Sequence, residues 1–271
     1  MSIKLGFTEM VGAALVSLSL ASISTAVLAD GSEAADRTVP APTFENSARI
    51  TNPWLSISKQ RHYVLRGRVD GIRVRSEKKL ARRTEPFKVG GETIQAAIVE
   101  DRGYHDGRLR EIALDYYAQA TDGTVYYLGE DVDYYDRDGT VVGHHGAFRY
   151  PKDTKFLGVA MPANPSPGDR YTTEQVPHQG SDRSHVVSSG SKVEVPAGTF
   201  RNALKVKGYV LPDDESEVKL YVRGVGLVSE SDPGGRLELT RYGRRINGRS
   251  APTGPQAPEN DLGRPPFAGT A

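Results

Sequence analysis

The run from Leu114 to Gly139 reads Leu-Asp-Tyr-Tyr-Ala-Gln-Ala, Thr-Asp-Gly-Thr, Val-Tyr-Tyr-Leu-Gly-Glu-Asp-Val-Asp-Tyr-Tyr and Asp-Arg-Asp-Gly. Two extended stretches flank Asp122-Gly123, a dipeptide that readily takes the positive φ of a two-residue hairpin turn. That turn sets Ala120 opposite Val125, Ala118 opposite Tyr127 and Tyr116 opposite Gly129. Leu114, Tyr116, Ala118 and Ala120 then share an apolar face. Asp115, Tyr117 and Gln119 share the other, against Glu130, Leu128 and Tyr126. A one-residue slip would turn the apolar set to water, so the register is well specified. The hairpin is expected in mid-sheet.

Outward from it, short apolar alternations recur. His62 to Gly67, Thr93 to Val99, Val193 with Val195, Leu204 to Val210, Val218 to Val222 and Leu237 to Leu239 all fit strands. Pro196-Ala197-Gly198, Pro212-Asp213-Asp214 and Asp232-Pro233-Gly234-Gly235 supply turns between them. About eleven strands at turn spacings of roughly 8–12 residues, with no helical periodicity, predict an all-β fold. The expected body is a single domain of curved antiparallel sheet, a half-barrel or open barrel, over residues 47–243. A domain near that size buries roughly 70% of its extended-chain surface and needs no disulfide. Residues 143–170, with Pro151, Pro162, Pro165 and Pro167, are expected to form a long irregular loop. In that loop Val159-Ala160-Met161 is expected to tuck under one end of the sheet.

Composition excludes several classes. Net charge is +1, which gives little pull toward nucleic acid. There is no cysteine, so disulfides, thiolate metal sites and a cysteine nucleophile are absent. Residues 1–29 read as a cleaved signal peptide: Lys4, an apolar run from Val11 to Val27, and Val27-Leu28-Ala29 before Asp30. Serines interrupt that run, so no stable transmembrane span is expected, and the protein should work in the periplasm or outside the cell. Residues 30–46 read as a flexible leader and 244–271 as a disordered Arg/Gly/Pro-rich tail. The basic stretch from Arg68 to Lys88 reads as a solvated hairpin or loop, with an acidic partner as the functional alternative.

Candidate chemistry is sparse. Asp115 opposite Glu130, beside Asp131 and Asp133, puts like charges across a strand pair, which destabilises unless water, a base or a cation offsets it. Such a pair can raise one pKa for acid–base work or ligate Ca²⁺. The best Zn²⁺ set is Glu130, His145, His178 and Asp182. Asp136-Arg137-Asp138-Gly139 fails as a calcium loop, since Tyr134 and His145 fall on ligand positions. No Gly-x-Ser-x-Gly elbow is present, and Gly224-Val225-Gly226 lacks a third glycine. A ladder of Tyr117, Tyr126 and Tyr135 on the solvent face would stack on sugars or an amphipathic ligand. Trp54, the only tryptophan, reads first as a core plug and second as part of that ligand surface.

Val195-Pro196-Ala197-Gly198-Thr199-Phe200 and Leu220-Tyr221-Val222-Arg223-Gly224-Val225-Gly226-Leu227-Val228 resemble the V-P-A-G-x-F turn and Y-x-x-G-V-G-L-V strand of exported bacterial β-proteins called TapB-like. Thr51-Asn52-Pro53-Trp54 and Val125 to Asp131 resemble the same family's N-P-aromatic and tyrosine-rich acidic passages. The resemblance implies a curved antiparallel sheet, similar to half-barrels that carry lipids between bacterial membranes. It implies no reaction. Gly143-His144-His145-Gly146 departs from the acidic and Trp residues of relatives, and the Arg-rich tail has no counterpart. The leading expectation is thus an exported, non-enzymatic protein that binds an amphipathic or apolar ligand or a cell-envelope component. The alternatives are a metal- or carboxylate-dependent hydrolase at the Asp115/Glu130 end, or a structural or adhesive surface protein.

Overall fold

In the computed structural model, which describes residues 41–211 and 215–243, the 114–139 hairpin forms with a different turn. Gly123 N donates to Ala120 O at 3.0 Å, and Ala120 N to Thr124 O at 2.9 Å. Gly123 has φ +95°. This is a three-residue loop with a glycine bulge, so Gln119 faces Val125 and Ala118 faces Tyr126. The strands are one residue out of the expected register here. The slip is undone at Leu128, an extra residue on the second strand, so that Tyr116 meets Gly129 and Asp115 meets Glu130 as expected. Gly129 makes the bulge possible: its φ is +127°, and a Cβ there would lie 2.1 Å from Phe148 O.

The chain is nearly all β. A single helical turn, α1 (Ile57–Gln60), precedes β1 (His62–Val69), β2 (Ile72–Val89), β3 (Glu92–His105), β4 (Arg108–Gln119) and β5 (Val125–Tyr135). Then come β6 (Val141–Gly143), β7 (Phe148–Arg149) and β8 (Gly158–Met161). The second half holds β9 (Arg170–Val176), β10 (Gly180–Val195), β11 (Gly198–Leu211), β12 (Glu215–Val222), β13 (Gly226–Asp232) and β14 (Gly235–Tyr242). All fourteen belong to one antiparallel sheet that is not closed. Its order is β6-β5-β4-β3-β2-β1-β14-β13-β12-β11-β10-β9, with β7 and β8 added to β5. Two meanders are therefore joined where the first strand pairs with the last. Of the two readings of the basic stretch the hairpin holds: Arg68 and Val69 end β1, Asp70 and Gly71 turn, and the rest lies on β2, an 18-residue strand. The 143–170 passage is irregular except for β7 and β8, which both return to β5.

The sheet curls until β5 and β9 approach one another, with β8 between them. A Cβ on Gly158 of β8 would sit 1.8 Å from Thr173 O of β9. Residues 43–60 plug one end of the concavity. Ile50, Trp54 and Ile57 pack there against Val99 of β3, Val125 of β5, Met161 of β8 and Val206 of β11. Asn52, 3% exposed, is the staple. Its Oδ1 accepts from Trp54 N at 2.9 Å, and its Nδ2 donates to Gly123 O and Pro162 O, both at 3.0 Å. Packing already begins at Phe44, whose ring meets Tyr126 edge-on at 5.9 Å. Turns after β1, β3 and β13 ring the opposite end. The residues read as a signal peptide, most of those read as a leader, the turn expected at Pro212-Asp213-Asp214 and the segment read as a tail lie outside the described residues.

The convex side carries its own core. Tyr116 and Ala118 are buried against Phe87, Ile98 and Leu128. Arg149 of β7 crosses this surface: Nε donates to Asp131 Oδ1 at 2.9 Å, and Nη2 to the Tyr116 hydroxyl at 2.7 Å and to Asp131 Oδ2. Tyr116 OH donates to the same Asp131 Oδ2 at 2.6 Å. The apolar face of the hairpin is therefore dry, as its pattern predicts, but it faces away from the concavity.

Candidate functional site

The face expected to be wet is the inner one. Strand alternation sends Asp115 and Tyr117 into the concavity, and the same alternation sends in charged residues from most other strands. Lys78 of β2 and Lys219 of β12 line one cavity of about 180 Å³. So do Asp115, Asp182, Glu217 and Glu230. Cross-strand pairing adds Asp101 opposite Lys78, Glu130 opposite Asp115 and Glu174 opposite Asp182. Glu111 lies opposite Gly103, on the same face as Asp101. The result is a belt around the inside of the open barrel with eight carboxyls and the ammonium groups of Lys78 and Lys219; half-buried Arg61 and exposed Lys79, Arg183 and Arg236 also line the cavity. Tyr117, Tyr127, Tyr171 and Tyr221 lie beside it on the plugged side, lining the same cavity. Leu65, Leu227 and Leu237 form an apolar wall from β1, β13 and β14.

Three of the carboxyls hold the two lysines. Lys78 pairs with Asp101, which also accepts from Ser76 Oγ at 2.8 Å. Lys219 pairs with Glu217 at 2.5 Å and Glu230 at 4.0 Å. Burial alone would lower the Lys78 pKa, but Asp101, Asp115 and Glu230 outweigh it and hold the ammonium charged. Lys219 follows the same logic through Glu217 and Glu230. Glu111, Asp115, Glu130, Glu174 and Asp182 have no salt bridge among the described residues. Glu111 Oε1, Glu130 Oε2 and Glu174 Oε2 are buried without a hydrogen bond. The Tyr127 hydroxyl donates to Asp115 Oδ1 at 3.1 Å, and the charges of Lys78 and Lys219 partly relieve Glu111, Asp115 and Asp182.

An unpaired buried carboxyl responds by keeping its proton. Burial pushes Glu111 up to about 8, with Asp101 and Asp115 adding to it. Burial, then Asp182, pushes Glu174 up to about 8. Asp182 rises to about 6 by burial, held there by Lys219. Glu130 is raised well above the ordinary carboxylate range, by burial and then by Asp115, Glu174, Glu111 and Asp182 together. Asp115 is also raised by burial, against the pull of Lys78.

The candidates from sequence are dispersed. Asp115, Glu130 and Asp182 meet in the belt. Asp131 lies on the convex face with Arg149. His145 stacks on Tyr134, ring centroids 3.8 Å apart and planes at 5°. His178 is exposed in the β9–β10 turn with φ +67°. No group of three or more histidines, aspartates or glutamates among the described residues is arranged to hold a metal ion. The tyrosine ladder is corrected as well. Tyr117 stacks on Tyr127 at 5.2 Å, whereas Tyr126 points to the convex side with Phe44, because the three-residue turn shifts β5 by one place. Tyr135 follows a further register shift at the β5–β6 pairing, away from Tyr117. Trp54 is a plug residue, 8% exposed, with the Arg223 guanidinium 5.7 Å over its ring.

Glu111, Glu174, Glu217, Lys78 and Lys219 were not singled out by sequence. Their signal was present in Glu217-Val218-Lys219-Leu220-Tyr221, where charged and apolar residues alternate as cleanly as in a half-buried strand. Compared with known protein families, with curated proteins and with solved structures, the chain has no match.

Proposed function

We propose that this chain is an exported, non-enzymatic binding protein of the cell envelope that holds a small amphipathic ligand, or the end group of a larger envelope component, inside the open barrel. One observation carries the reading: a single cavity has an aliphatic wall (Leu65, Leu227, Leu237) facing a wall of tyrosines and carboxyls. A two-sided cavity of this kind is what an amphipathic guest needs, since each half of the guest keeps its preferred surroundings. A volume near 180 Å³ suits one ring or a short chain; an engineered apolar cavity of about 150 Å³ takes benzene. A whole lipid would leave most of itself outside. The signal-peptide reading of residues 1–29 and the TapB-like motifs support export and an envelope role, and no described helix is long and apolar enough to cross a membrane.

The test is native mass spectrometry of the protein purified from its own host. The expected result is a retained non-covalent mass that is lost on denaturation and reduced in Tyr117→Ala. An unliganded mass under conditions that preserve a control lipid-binding protein's ligand would overturn the proposal.

A further inference from the structure

Two like-charge pairs lie on the inner face of the curled sheet, one on each side of β8. Asp115 lies opposite Glu130 on β4 and β5, and Glu174 lies opposite Asp182 on β9 and β10. These strands belong to the two different meanders, and the curl of the sheet brings them together at the β8 seam. Directly opposed carboxylates destabilise a ladder, and here the arrangement occurs twice, at facing edges. A purely structural belt would match each acid with a base or carry glutamine in its place. Instead both lysines of the belt are already engaged, by Asp101 and by Glu217 with Glu230. Glu130, 1% exposed, and Glu174, 4% exposed, each keep one oxygen with no hydrogen bond, directly beside Asp115 and Asp182, the member of each pair that lines the cavity.

We infer that the guest of this interior is an organic cation, whose ammonium or guanidinium head docks between the Asp115–Glu130 and Glu174–Asp182 pairs while its apolar body lies against the aliphatic wall. The inference rests on the interior-binding reading above and adds the charge of the guest. Three arguments support it. A cation placed among these carboxyls lets them give up their protons and ionise against it, a relief of burial and like-charge opposition that a neutral or negative guest does not supply. No group of three or more acids or histidines among the described residues is arranged to hold a metal ion, which points to an organic cation as the positive guest. Tyr117, Tyr127, Tyr171 and Tyr221 add ring faces to the same cavity, and ring faces attract desolvated cations.

Three probes of matched size separate charge from shape: 2-phenylethylamine, 2-phenylethanol and 3-phenylpropanoate, titrated calorimetrically into the purified protein at pH 8. The amine is expected to bind about tenfold or more tightly than the alcohol, the worth of one charge-assisted hydrogen bond, and the acid not at all. Glu130→Gln and Glu174→Gln keep shape and remove repulsion, so both should fold at least as well as the parent by thermal midpoint. Each should weaken the amine about tenfold and leave the alcohol unchanged. Equal binding of amine and alcohol, or preference for the acid, overturns the cation inference and leaves interior binding standing. Failure of all three probes also overturns it, while the retained-mass measurement still decides interior binding by itself.

Discussion

Replacing Glu174 by Gln should make the protein more stable, and by an amount that depends on pH. Glu174 is 4% exposed, and its Oε2 has no partner. Burial and Asp182 raise its carboxyl from an ordinary 4.5 to about 8. Below pH 4.5 the group is protonated both folded and unfolded, and the charge costs nothing. Between 4.5 and 8 the unfolded chain ionises while the folded one must hold its proton, so stability falls as pH rises. At about 1.4 kcal/mol per pH unit, the loss accumulated by pH 8 is on the order of 4 kcal/mol. Gln carries no charge to relinquish. Urea unfolding of parent and Glu174→Gln at pH 5 and pH 8 should therefore show near-equal midpoints at pH 5 and a gain for the variant at pH 8. Water reaching the belt would reduce that gain to roughly half. A variant equal to or weaker than the parent at pH 8 would show that Glu174 is ionised and paired, and the account of the belt would fail.

Glu130→Gln should likewise raise the thermal midpoint at pH 8, since burial and four neighbouring carboxyls oppose the charge at that position; a lowered midpoint refutes it. Arg149→Met strands Asp131 and the Tyr116 hydroxyl and should cost about 3 kcal/mol in denaturant unfolding; adding Asp131→Leu should recover part of the loss. Gly129→Ala places a methyl 2.1 Å from Phe148 O at φ +127°. It should cost about 2–4 kcal/mol and speed hydrogen exchange at β7; a neutral effect would show that the bulge relaxes. Trp54→Ala removes the largest plug side chain and should cost about 3–5 kcal/mol, read by the same unfolding curves.

The fold class was legible because strand alternation and turn residues are local signals. So was the Asp115–Glu130 opposition, which needs only one hairpin register. The turn itself was not, because Ala-Thr-Asp-Gly-Thr satisfies both a two-residue turn and a three-residue loop with a glycine bulge. The loop adopted comes with a compensating bulge at Leu128 and Gly129, where Phe148 approaches closely, and with Asn52 Nδ2 on Gly123 O, both contacts between distant parts of the chain. The matching pair Glu174–Asp182 was hidden for a similar reason: β9 carries an extra residue, Thr173, between the partners of Asp182 and Arg183, and no single-strand pattern reports a bulge. The direction of curl was the larger gap. Alternation separates two faces without saying which becomes concave, and here the apolar side of the 114–120 strand turned outward under β7 while the charged side turned in.

The pairing of β1 with β14 also decides how this molecule can be handled. Phe44 and Gly243 both lie at the plugged end, where Gly243 N donates to His62 O at 3.1 Å. A tag, a fluorophore or a surface tether joined directly to Phe44 or to Gly243 would therefore emerge from the same pole. The far rim, formed by the turns after β1, β3 and β13, is left pointing into solution, and an immobilised layer of the protein would present that rim uniformly to whatever flows past.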